Sequence, residues 1–164
     1  MATTATISRR AAPLYTSEQR RRRDETPWTL VQGILAPVQF VVFLVSLGLV
    51  LRYLATGEGL WAAEVSIVVK TACLFTIMVT GAIWEKVVFG QYLLAPAFFW
   101  EDVFSFAVIA LHTTYIWALL SDTWTPETQM WIALAAYGAY VINAAQFLLK
   151  LRAARLDAAE SLPA

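Results

Sequence analysis

Four long apolar runs alternate with short polar breaks along this chain, and the breaks predict its architecture. Residues 30–54, 60–84, 98–120 and 126–150 each form a run close to 20 residues or longer. Such a run, wound as a helix, matches the roughly 30 Å hydrocarbon core of a bilayer. The connections at 55–59, 85–97 and 121–125 are short, so neighbouring spans are expected to be antiparallel. The expected fold is all-α: an integral membrane up-down four-helix bundle. The expected organisation is a polar basic N-terminal segment (1–27), a four-span membrane domain (28–152) and a polar tail (153–164). Pro27 and Trp28 mark the entry to the first span. Thr125, Pro126 and Glu127 read as cap, first helical position and dipole-favoured acid for the fourth.

The N-terminal segment carries Arg9, Arg10 and four consecutive arginines, Arg20, Arg21, Arg22 and Arg23. No apolar core of a signal peptide follows them within the first 25 residues. Residues 17–26 (SEQRRRRDET) suit a short helix on the membrane surface, with arginines near anionic head groups. The residues before it are expected to be disordered, and the tail after Arg155 frayed. Lys150, Arg152 and Arg155 make the tail basic too, whereas the 55–59 and 121–126 loops carry only acids. The positive-inside rule then places both termini, and the 86–97 loop, in the cytoplasm. Six of the seven tryptophans fall near a span end, as an aromatic belt requires.

Composition narrows the function classes. The residues are 59% hydrophobic, which excludes a soluble domain with a water-facing surface. Net charge is zero, so nothing points to nucleic acid. Cys73 is the sole cysteine and reads as a packing residue, so no disulfide framework or thiolate metal cluster is expected. The sole histidine, His112, argues against a bis-histidine haem. There is no paired His/Cys zinc motif, no Gly-rich phosphate loop and no Gly-x-Ser-x-Gly.

The remaining chemistry gathers in residues 78–112, MVTGAIWEKVVFGQYLLAPAFFWEDVFSFAVIALH. One span leaves the membrane at Glu85 and Lys86. The chain turns through Gly90 and Pro96. The next span enters at Glu101 and Asp102, so three carboxylates flank one loop. Placed by depth, Gln32, Gln39, Thr80, Ser105, Asn143 and Gln146 fall in the same half of the bundle as those carboxylates. Scattered placement would use both halves, so this convergence marks a site. Burial favours the neutral form of a carboxyl, which suits acid–base chemistry on a lipophilic substrate. Plainer readings stand beside this one. Helix N-termini favour acids, amide side chains serve as interhelical glue, and a lone Lys70 can snorkel. On the third span, Glu101, Ser105, Val108 and His112 share one face, with His112 about 16 Å along the axis from Glu101.

The stretches LYTSEQRRRRDETPWTLVQGILAPVQFVVFLVSLGLVLRYLATGEG, SIVVKT and MVTGAIWEKVVFGQYLLAPAFFWEDVFSFAVIALHTTY resemble the 3-vinyl bacteriochlorophyllide hydratase family, over about residues 14–150. The block WEKxxFGxYLxAPAFFWEDVFS is its specific part. The resemblance implies a hydro-lyase that adds water to the 3-vinyl group of chlorophyllide a or 3-vinyl bacteriochlorophyllide a, giving a 3-(1-hydroxyethyl) product. It implies no redox cofactor, and a place in the bacterial inner, intracytoplasmic photosynthetic membrane. It brings no residue roles, so these are read from the chain. Glu101 and Glu85 are the expected acid pair, with Asp102 third. His112 is the expected ligand to the substrate's magnesium, the protein holding no metal of its own. Gln39, Asn143, Trp84 and Trp100 are substrate-binding candidates, with Phe98 and Phe99 available to stack on the ring. The expected partners are the chlorophyllide or bacteriochlorophyllide substrate and membrane lipid, with a homo-oligomer or contact with other pigment-biosynthesis enzymes open. A non-catalytic pigment-binding or assembly protein is the first rival, and a small transporter or scaffold the second.

Overall fold

A computed structural model describes residues 14–160. Five helices follow one another, and no strand occurs among the described residues: α1 Ser17–Glu25, α2 Pro27–Thr56, α3 Leu60–Phe89, α4 Phe99–Ser121 and α5 Pro126–Glu160. The last four are long and apolar enough to cross a membrane. The expected four-helix architecture thus gains a fifth element, α1, which falls where the sequence placed a short surface helix. Its start is a capping box: Gln19 N–H donates to Thr16 Oγ1, and Thr16 N–H donates to Gln19 Oε1. The disorder expected before it concerns residues outside the described range.

Two helices outrun their apolar patterns. α3 continues to Phe89, one turn past the predicted exit at residue 84, and stops at Gly90, whose φ of +88° ends the helix. α5 runs on to Glu160, beyond the predicted end at residue 150, because its Ala-, Leu- and Arg-rich continuation consists of strong helix formers.

α2 packs on α3, and α4 on α5, along their lengths; contact between these two hairpins is sparser. Polar pairs fix the antiparallel register. Gln32 Nε2 donates to Thr80 Oγ1 at 2.7 Å, and the Ser46 and Ser66 hydroxyls lie 2.7 Å apart. Asn143 Nδ2 donates to Ser105 Oγ at 2.8 Å. α2 meets α5 through Phe43, whose ring lies 5.4 Å from Tyr137 and 5.0 Å from Tyr140, and through a Ser46–Tyr137 hydroxyl contact. The apolar core around Phe43, Ile67, Leu74, Val108, Tyr115 and Tyr137 fills the middle of the bundle. Trp61, Trp100, Trp117 and Trp131 are exposed near helix ends, facing outward as an aromatic belt does.

α1 is strapped across the end of α3. Tyr15 is buried and stacks on Phe89 at 5.8 Å, beside Phe98. Thr29 Oγ1 donates to the Arg23 carbonyl, and Trp84 Nε1 donates to Thr29 Oγ1, so one hydroxyl ties α1, α2 and α3 together.

Candidate functional site: a carboxyl pair held by a loop

Glu85, in the last turns of α3, and Asp102, in the first turn of α4, are both buried and make side-chain contact. The connecting loop closes over them. Leu94 N–H donates to Asp102 Oδ2 at 2.6 Å, and Ala95 N–H donates to Glu85 Oε2 at 3.3 Å. Two successive amides reach two different carboxyls because Leu94 sits at φ +60°, in the left-handed region. Phe98, at the end of the loop, is buried against Tyr15 and Val88, so the strap packs on the loop that holds the pair.

Glu101 faces another way. Its Oε2 accepts from Lys150 Nζ at 2.5 Å, and the same ammonium donates to the Ala97 carbonyl and sits over the Phe98 ring. The pairing expected from sequence, Glu101 with Glu85, is therefore not the one found: Asp102 meets Glu85. Adjacent helical residues point about 100° apart, and the sequence pattern alone did not say which of the two turned toward α3. Lys150 is the residue that sequence reasoning missed. A basic residue closing an apolar span opposite two acids is nonetheless a signal for an ion pair.

One turn beyond Asp102, Ser105 is buried and accepts from Asn143. Asn143 Oδ1 and Gln146 Oε1 are buried and meet no donor among the described residues; nor does Gln39 Oε1 on α2. Trp84 is part of an aromatic group with Phe89 and Phe98 next to the pair. Trp100 is 66% exposed and meets Phe99 edge-on at the outside of the bundle.

A second polar centre lies deeper. His112 is fully buried, with Nδ1 bound to the Val108 carbonyl at 2.8 Å. That bond places the ring proton on Nδ1 and leaves Nε2 as a lone-pair acceptor. Lys70 is also fully buried, its Nζ 3.9 Å from the Tyr140 ring centroid. Neither His112 Nε2 nor Lys70 Nζ finds a hydrogen-bond partner among the described residues. Lys70, expected to snorkel, instead points into the bundle. Ten residues separate His112 from Asp102, about 15 Å of helical rise. A surface concavity of about 310 Å³ between α2 and α5, lined by Phe43, Leu47, Leu134, Tyr137, Gly138 and Val141, is apolar and does not include the carboxyls.

As a class, this is a helical membrane protein with a pair of buried carboxyls at one end of its bundle. Residues 15–153 match the profile of the family described as 2-vinyl bacteriochlorophyllide hydratase, and the chain belongs to that family. It is 74% identical over 151 residues to the 2-vinyl bacteriochlorophyllide hydratase of Cereibacter sphaeroides, covering 90% of this chain and 93% of that protein. It is 72% identical over 147 residues to the protein of the same name from Rhodobacter capsulatus, covering 89% and 85%. The locants 2 and 3 belong to two conventions for numbering the same ring position. No solved structure matches the chain.

Proposed function

We propose that the chain is a hydratase, a carbon–oxygen lyase that adds water to the vinyl group of a bacteriochlorophyllide-type macrocycle, and that Glu85 and Asp102 supply the proton. Family membership carries the reaction. The contact of two buried carboxyls, each fixed by a loop amide, carries the choice of residues. Two carboxylates in side-chain contact do not both ionise readily, so such a pair retains a proton.

The proton passes to the terminal vinyl carbon. The alkene π pair forms the new C–H bond, and the adjacent carbon is left as a cation delocalised into the macrocycle. The carboxylate so formed faces that cation. The oxygen of a water molecule attacks it, and the proton the water sheds returns to the pair. A vinyl group and one water become a 1-hydroxyethyl group, with no net change of oxidation state. Glu101 supports this arrangement through Lys150, which anchors the loop at Ala97.

The macrocycle lies along the inner face of α4 with its vinyl edge at the pair and its body among apolar side chains. His112, whose Nε2 meets no partner among the described residues, would be the residue to hold the substrate's magnesium. The basic residues of the N-terminal segment and tail support an orientation with the pair at the cytoplasmic side. The substrate chemistry supports a place in the photosynthetic membrane.

Membranes containing the protein, given chlorophyllide a and followed by absorbance and mass, test the reading. The wild type is expected to yield a product heavier by one water. Glu85→Gln and Asp102→Asn are expected to lose about 10²–10⁴-fold in rate, the usual contribution of general acid–base catalysis, while still binding pigment. Glu101→Gln is expected to lose less. Pigment bound but never hydrated by the wild type would replace the enzyme with a carrier. Full activity in both Glu85→Gln and Asp102→Asn would remove the pair from the mechanism.

A further inference from the structure

We propose that Asn143 and Gln146, on α5, hold the water that attacks the substrate. The inference rests on the hydratase reading and adds the binding site for its second substrate. Asn143 is 9% exposed, and its amide is oriented by the bond from Nδ2 to Ser105 Oγ. Its Oδ1 is thereby left facing the interior, where no donor among the described residues reaches it. Gln146 Oε1, three residues along and so on the same helical face, is buried and lacks a donor in the same way.

The helix register sets Asn143 and Gln146 near the height of the carboxyl pair along the bundle. Asn143 lies beside Ser105 and Lys150 beside Glu101. Gln146 falls between, at the level of Asp102. Ser105 is itself one turn from Asp102 on α4.

The polarity of the two groups matters more than their number. A water that attacks a cationic carbon presents an oxygen lone pair, so its hydrogens must point away toward acceptors. Asn143 Oδ1 and Gln146 Oε1 are both acceptors that orient the water; once the C–O bond has formed, the protonated carbinol turns one hydrogen to the carboxylate of the pair, which takes it. Donors at these positions would hold the water the wrong way round. A buried carbonyl oxygen left without a donor is costly, and a bound water relieves that cost at both positions. Proton and oxygen then arrive from different helices, the proton from the α3–α4 pair and the oxygen from α5. The face of the cation that is attacked is therefore fixed, and one epimer of the new carbinol is favoured.

The test measures kcat, KM and the carbinol epimer ratio for full-length protein in membranes with chlorophyllide a. Gln146→Leu is the cleaner variant, because Asn143 also braces Ser105. In Gln146→Leu and Asn143→Leu, kcat is expected to fall about 10²-fold, in the range seen when one positioned hydrogen-bonding group is removed from an active site. KM is expected to stay within about twofold and the epimer ratio to move toward 1:1. Gln146→Glu and Asn143→Asp keep an acceptor oxygen and are expected to retain the wild-type ratio. An unchanged epimer ratio in both leucine variants overturns the inference, whether their rates hold or fall, because packing roles alone would leave the attacked face as it was. A wild type that forms no hydrated product overturns the hydratase reading and this inference with it.

Discussion

Leu94 carries a backbone conformation that an L-residue with a side chain adopts at a cost of about 1–2 kcal/mol. Its φ of +60° lets its own N–H and that of Ala95 reach Asp102 and Glu85. Leu94→Gly removes the strain and keeps the amide, so activity should be retained and stability in detergent should shift by no more than about 1 kcal/mol. Leu94→Pro deletes the amide and demands a negative φ. Its hydration rate should fall as far as that of Asp102→Asn. Nothing in the sequence marks this residue, because the left-handed region is signalled by glycine, as at Gly90, and not by leucine. The three carboxyls were legible as a group. Their partners were not, since Lys150 is 49 residues from Glu101 and the loop amides have no side-chain signature.

At the scale of elements, the Glu101–Lys150 bridge clamps α4 to α5 next to the loop. Glu101 is almost fully buried, whereas the Lys150 side chain is 26% exposed. Removing one partner of a buried pair costs roughly 3–5 kcal/mol, because the other charge is stranded. Lys150→Met should therefore destabilise more than the double variant Glu101→Gln/Lys150→Met, and thermal unfolding in detergent across the four proteins of that cycle measures the coupling. The α1 strap has its own reporter. Burial raises the Tyr15 phenol above its ordinary value of 10.0, and the Arg23 guanidinium nearby opposes the shift. The docked strap thus holds the phenol proton more tightly than the free segment does. Its docking is fully present below pH 10 and weakens as pH rises through the raised value. A difference titration of the phenolate absorbance, wild type minus Tyr15→Phe, should place the Tyr15 midpoint above 10; a midpoint at or below 10 would mean that the strap is not docked in solution. The helices were readable from apolar run length and the entries of α2 and α5 from Pro27, Thr125 and Pro126. The extra turn of α3 was not, because Glu85 and Lys86 look like the end of a span, whereas the helix carries on to Phe89 with Glu85 buried and Lys86 exposed.

At the scale of the whole molecule, the bundle is two hairpins, α2 with α3 and α4 with α5, lying against each other more loosely than each is built within itself. Glu85 belongs to the first hairpin and Asp102 to the second, and the nine-residue connection between them is the segment that binds both. The carboxyl pair therefore stands at the pivot. A wedge that parts the hairpins anywhere along their length turns them about this end, and the spacing of the two acids responds to the angle.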